Sequence, residues 1–148
     1  MNGNPCPTCE CCNVPYACNQ STCDKYKAYK MDLSKRKLIY VAHPFGGDPA
    51  NIKKVEAIIL QLIRIYPNYT FYSPLHATGF FYFVKSYEEG MKDCIEMLRR
   101  SDELWLCEGY EDSRGCLIEY GYCLENNKPV KFVDEILSFA NSHEEHEV

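Results

Sequence analysis

The chain has 148 residues, 46% of them hydrophobic, and a formal net charge of −5. That length fits one domain with a real core, and no run approaches the roughly 18 apolar residues of a membrane span. The acidic balance argues against a duplex nucleic-acid partner, which would need a basic face. Small anionic ligands stay open, because backbone amides and helix N-termini bind them locally.

The opening MNGNPCPTCECC lacks the basic start and apolar stretch of a signal peptide, so a cytoplasmic protein is expected. Ten cysteines in a reducing compartment should be thiols or metal ligands rather than disulfides. Six of them (Cys6, Cys9, Cys11, Cys12, Cys18 and Cys23) fall within residues 1–36. That segment has no periodic apolar face, so something staples it or it stays loose. Cys6-x-x-Cys9 is a common half-site for tetrahedral zinc, and Cys18 with Cys23 would complete four thiolates. A structural zinc and a redox-labile tail are both open readings, since neither Cys11-Cys12 nor the Cys18–Cys23 spacing fits a standard zinc motif. The other four, Cys94, Cys107, Cys116 and Cys123, sit in apolar patterns and read as small core residues.

An α/β domain spans 37–134. Leu38 to Ala42, LIYVA, is a continuous apolar run suited to a strand buried on both faces. HPFGGDPAN follows as a loop, with Asp48 placed to cap a helix and Pro49 at its first position. Ile52, Val55, Ile58, Ile59, Leu62 and Ile63 keep a helical period across Asn51 to Tyr66. A second strand is expected over Tyr69 to Ser73, running into Ser73-Pro74-Leu75-His76. The aromatic stretch from Ala77 to Lys85 reads as a loop with a short helix lining a pocket, or as a hydrophobic plug. Tyr87, Met91, Cys94, Ile95 and Leu98 predict a helix over Tyr87 to Arg100. Glu103 to Cys107 is a third strand, followed by a polar turn and a helix. On that helix Leu117, Tyr120, Cys123 and Leu124 share the face of Cys116, with Glu119 on its flank. Pro129 to Val133 is a fourth strand. After it, Ile136, Leu137 and Phe139 suggest a short helix, and residues 135–148 end as a solvated tail.

Strands alternating with helices imply right-handed β-α-β units and a small parallel sheet in a three-layer α/β/α fold of Rossmann or flavodoxin type. Ligands of such sheets bind outside the carboxyl ends of the strands. That rule selects His43, Pro44, Phe45, Gly46 and Gly47 after strand one. It selects Ser73, Pro74 and His76 after strand two, and Ser113, Arg114 and Gly115, leading to Glu119, after strand three. Gly46-Gly47 and the Ser113–Gly115 turn each bring free N–H groups to a helix start, where a phosphate or carboxylate can sit. Neither a Walker A sequence nor G-x-G-x-x-G is present, which removes the main support for a nucleoside triphosphatase or an NAD dehydrogenase. A lone carboxylate at a pocket can act as nucleophile toward a sugar carbon or as general base. Glu119 is placed for that, with Tyr40 either its orienting partner or a core aromatic.

Three features in order carry a resemblance: a strand with Tyr40 running into IYVAHPFGGDPAN, Ser73-Pro74 after strand two, and SDELWLCEGYEDSRGCLIEYG followed by KPV. Together they resemble the nucleoside 2-deoxyribosyltransferase superfamily, and more closely its uncharacterised, often phage- or prophage-associated domains. The resemblance covers Lys37 to Val133. It implies that Glu119 attacks the anomeric carbon of a nucleoside or nucleotide and that Tyr40 supports it. By the same resemblance Ser113, Gly46 and Gly47 contact a phosphate, no cofactor takes part, and the chain forms a dimer or larger homo-oligomer through the aromatics between Phe80 and Phe83. The family's acid, which protonates the departing base, aligns with Cys94, and Asp93 lies one residue off. The expected function is an N-glycosidase or deoxyribosyltransferase-like enzyme, with a non-catalytic module that senses or sequesters nucleotides as the alternative and a metal-stapled interaction protein, whose cysteine head contacts a partner, as a third reading.

Overall fold

The computed structural model describes residues 32–144, with side chains described through Ser142. The unit Arg36–Val148 carries the α/β fold. The proposed ligands Cys6, Cys9, Cys18 and Cys23 lie outside the described residues.

Four parallel strands stand in the order β2-β1-β3-β4: β1 Leu38–Ala42, β2 Thr70–Tyr72, β3 Glu103–Leu106 and β4 Val130–Phe132. Tyr40 pairs with Tyr72 on one side and Leu104 on the other. Five helices join and follow them: α1 Pro49–Ile65, α2 Pro74–Thr78, α3 Tyr87–Arg100, α4 Arg114–Glu125 and α5 Val133–Glu144. Strand alternation divides the core into two layers. Ile39, Val41 and Trp105 pack with Val55 and Leu62 of α1 and Val133 of α5. Tyr40, Ala42, Leu104 and Leu106 pack with Leu98 of α3 and with Cys116 and Cys123 of α4. Each such side chain contributes roughly 1.5–3 kcal/mol on burial if it is as large as Val or Leu. The expected three-layer α/β/α architecture is the one observed.

Local chemistry sets the helix starts. Asp48 accepts from the Ala50 amide at 2.9 Å with Pro49 behind it, and Ser86 accepts from Glu89 at 3.3 Å. Ser113 accepts from Cys116 at 3.4 Å, so α1, α3 and α4 each begin at a side-chain cap. Asp102 accepts from the Leu38 amide at 2.6 Å, a structural role at the start of β1.

Two stretches depart from expectation, and a third is decided between its alternatives. The 77–85 segment is the loop with a short helix rather than the plug: α2 begins earlier, at Pro74, and a 3₁₀ turn follows at Gly79–Phe81. Phe80 and Phe83 are each 84% exposed, too open for a plug. The expected C-terminal helix forms but runs for 12 residues, into the stretch expected as a tail, because Val133, Ile136 and Leu137 form an i, i+3, i+4 stripe docked on the core. On α4 the buried stripe is Cys116, Glu119 and Cys123, while Leu117 and Leu124 are 46% and 61% exposed. The helix is rotated so that Glu119 faces inward and the two leucines face out.

Candidate active site

The winding of the sheet reverses at β1. The chain leaves it for β2 by α1 on one face, then crosses to β3 by α3 on the other. Such a reversal opens a crevice between the carboxyl ends of the two inner strands, here β1 and β3. A cavity lies there, lined by residues from the loop after β1, from α2, from α3 and from the start of α4, with Glu119 among them.

Glu119 is only 4% exposed, and its Oε1 accepts a hydrogen bond from the Tyr40 hydroxyl at 2.6 Å. Tyr40 is fully buried on β1, its ring 5.4 Å from that of Tyr72. It is both a core aromatic and the partner of the carboxylate. Among the described residues no fully buried side-chain oxygen or nitrogen lacks a partner. Oε2 of Glu119 has no partner among the described residues, so it reaches open space, and Glu119 lines the cavity. Burial pushes the Glu119 carboxyl up to about 7 from 4.5, with the Tyr40 hydrogen bond pulling the other way. Burial, and then the charge of Glu119, raises Tyr40 well above the usual phenol range, so it stays a donor. A dry carboxyl that titrates near neutrality and has one free oxygen is equipped for nucleophilic or acid–base chemistry.

Of the residues selected from the sequence, His43, Phe45, Gly46, Pro74, Ser113, Gly115 and Glu119 line this cavity. Gly46 and Gly47 hold φ of +59° and +77°, the left-handed region that glycine enters freely. Gly47 does not line the cavity: the Phe83 ring lies where its Cβ would be, 2.5 Å away. Pro44 also stays outside, near Gly109. Ser113 keeps its place at the cavity while its Oγ caps α4. Arg114 turns to a neighbouring groove, its guanidinium 4.8 Å from the centre of the Tyr87 ring.

Ser73 and His76 are not brought to Glu119. The Ser73 hydroxyl lies 2.9 Å from His76 Nδ1, and His76 Nε2 lies 3.2 Å from Glu56, on a separate surface depression. Asp93 does not line the cavity either; it pairs with Lys85. Its neighbour Cys94 does, and burial followed by the charge of Glu119 raises that thiol above its usual range.

Tyr87, Met91 and Cys116 also line the cavity without having been singled out from the sequence, while Thr78 and Tyr82 belong to the 77–85 stretch that the sequence offered as pocket-lining. Tyr87, Met91 and Cys116 carry the same helical-face signal as core residues, so spacing could not separate the two roles. Thr78 and Tyr82 arrive through α2 and the turn after it. Tyr82 meets Phe45 edge-on at 4.9 Å, and a side chain at Gly115 would press on the Tyr87 hydroxyl at 3.3 Å.

At about 90 Å³ the cavity is below the ~300 Å³ of a typical small-molecule site. It shares Tyr87 and Met91 with the groove between α3 and α4, about 680 Å³, where Arg114 and Lys92 lie. One part of a ligand can sit against Glu119 while a larger or charged part extends toward Arg114. Among the described residues no group of three or more His, Cys, Asp or Glu could hold a metal, and no helix is long and apolar enough to cross a membrane.

No curated protein matches the chain. A family described as a domain of unknown function (DUF4406) matches residues 37–132, a span that takes in all four strands, Tyr40, the glycine loop and Glu119. The chain belongs to the DUF4406 family.

Proposed function

We propose that the protein cleaves the N-glycosidic bond of a nucleoside or nucleoside monophosphate, with Glu119 as nucleophile, as in the nucleoside 2-deoxyribosyltransferase superfamily it resembles. The observation that carries this is the pairing of Glu119 with Tyr40: one carboxylate oxygen is fixed at 2.6 Å and the other is left to the cavity. In the first step Oε2 bonds to the anomeric carbon, the carbon–nitrogen bond breaks, and its electron pair leaves with the base. Tyr40 holds the carboxylate in line through its 2.6 Å hydrogen bond to Oε1. Ser113, Gly46 and Gly115 border the sugar, and Arg114 offers a cation to a phosphate in the adjoining groove.

A second reading has its own observation. Among the described residues Glu119 is the only carboxylate at the cavity, and Asp93 is held outside it by Lys85. Without an acid for the departing base, the pocket would bind nucleotides as a sensor or sequestering module. One experiment separates the two: the full chain is offered dCMP, dGMP, other monophosphates and the corresponding nucleosides, and free base is followed by chromatography. Base release that disappears in Glu119→Ala supports the enzyme. Release that persists in Glu119→Ala removes Glu119 as nucleophile, and calorimetric binding with no release supports the module.

We carry a homo-oligomer as part of the same proposal. The open rings of Phe80 and Phe83, with Val84 82% exposed beside them, suit a subunit contact. Sedimentation of the wild type as a monomer at micromolar concentration would remove it.

A further inference from the structure

Two buried polar residues line the cavity, Glu119 and His43, and the first step uses only one of them. His43 follows β1 directly and is 9% exposed. Its Nδ1 lies 2.7 Å from the carbonyl oxygen of Pro44. A carbonyl can only accept, so in the neutral ring the proton sits on Nδ1 and Nε2 carries a lone pair. Nε2 meets no donor among the described residues, and none of their fully buried side-chain nitrogens lacks a partner. Nε2 is therefore not sealed off, and His43 lines the cavity it shares with Glu119. Burial lowers the imidazole below its usual range, the Pro44 carbonyl opposes and the Lys54 ammonium adds to the lowering, which keeps that lone pair free at neutral pH. A histidine with a fixed tautomer and a free acceptor, in the same small cavity as a nucleophile, is equipped to take a proton.

We propose that His43 is the general base that activates water in the second half of the reaction, so that water, not a second base, receives the sugar. This rests on the glycosidase reading above. After the first base has left, the anomeric carbon is bonded to Oε2 of Glu119. A water held by His43 Nε2 attacks that carbon. The bond from carbon to Oε2 breaks, its electron pair returns to the carboxylate, and the water proton passes to Nε2. The Pro44 carbonyl, already accepting from Nδ1–H, stabilises the imidazolium, and Tyr40 stabilises the returning carboxylate. The imidazolium then gives its proton to solvent, which has supplied one to the departed base anion, and the products are free base and free sugar or sugar phosphate.

The test uses a substrate that the wild-type chain turns over, together with His43→Gln and His43→Asn. Gln places an amide near the Nε2 position and Asn keeps a donor near Nδ1; neither takes up a proton. Thermal melting checks that each variant is folded. The expected result is one burst of base, about one equivalent per chain, followed by turnover slowed by about 10²- to 10⁴-fold. Intact-mass spectrometry then finds the sugar adduct, mapped to the peptide that holds Glu119. Azide, which attacks without losing a proton, restores turnover in the His43 variants by displacing Glu119, giving the glycosyl azide with retained configuration, whereas direct attack in Glu119→Ala would give the inverted one. Steady turnover near the wild-type rate in a folded His43 variant overturns the proposal, as does a slowed reaction with no adduct. If the wild type releases base and the variants match it, only the role of His43 falls. If the wild type releases no base from any nucleotide or nucleoside, the glycosidase reading falls and the role of His43 with it.

Discussion

Tyr40 and Glu119, 79 residues apart in the chain, meet at 2.6 Å where the carboxyl end of β1 passes the first turns of α4. This one hydrogen bond joins the fold to the proposed chemistry: a strand residue buried by the sheet holds a carboxylate that the helix turns inward.

Replacing Glu119 tests the nucleophile. Glu119→Gln keeps the shape and removes the charge, and base release should drop by at least about 10³-fold with little change in nucleotide affinity. Stopped-time assays of base release, paired with calorimetric binding, separate lost chemistry from lost binding.

Removing the Tyr40 hydroxyl should move the pH profile. Its hydrogen bond lowers the Glu119 carboxyl against the upward push of burial, so Tyr40→Phe raises it further above about 7. The acid limb of kcat/KM, which tracks ionised Glu119, then shifts to higher pH. Leaving a buried carboxylate oxygen unsatisfied also costs about 1–3 kcal/mol of stability above that pH. A superimposable pH–rate profile would show that Tyr40 does not tune Glu119.

Stability should fall as pH rises through neutrality. Glu119 titrates near 7 folded and near 4.5 otherwise, so between those values the native chain binds more protons than the unfolded one. Stability from this residue is full below 4.5 and is lost by pH above 7, a difference of about 3 kcal/mol. Glu103 acts oppositely. Burial pushes it up, but Lys37, Trp105 and Lys131 more than offset that, and its carboxyl is lowered overall. Its contribution is present above the unfolded value and lost as pH falls through the folded one. Thermal melts from pH 4 to 8 should show the wild type more stable at pH 5 than at pH 8. Glu119→Gln should flatten that slope.

Cys94 occupies a cavity position where a carboxyl would help a departing base. In Cys94→Asp, burial and the nearby charge of Glu119 would raise the new carboxyl and keep it a proton donor. Base release from dCMP or dGMP should rise, within the ~10²- to 10⁴-fold that general acids supply. An unchanged rate with unchanged binding would mean that base departure does not limit turnover.

Both glycines of the first loop should resist a side chain. Gly46→Ala and Gly47→Ala each force a left-handed φ on alanine, at about 1 kcal/mol. The Phe83 ring beside Gly47 is exposed and free to swing aside, so the two losses should be similar. Urea midpoints measure this directly. A far larger loss at Gly47 would show that Phe83 is pinned.

Much of the fold was legible in the chain because its signals are local. Continuous apolar runs marked β1 and β3, and helical spacing marked α1, with Asp48 at its cap, and α4. The rule for parallel sheets then placed the loops after β1 and β3 together, as observed. The tertiary structure decided what periodicity leaves degenerate. Helical spacing allowed Leu117 and Leu124 to face the core, yet α4 docks on the stripe of Cys116, Glu119 and Cys123. The buried hydrogen bond from Tyr40 and the small thiols at that contact accommodate this rotation. Met91 and Cys94 read as core by spacing, while Ser73 and His76 read as site; their places exchanged because α2 directs Pro74 toward the cavity and His76 toward Glu56. Sequence by itself determined which elements form and which strand ends gather. How each helix turns about its own axis depends on packing between distant segments, and that rotation decides which side chains meet a ligand.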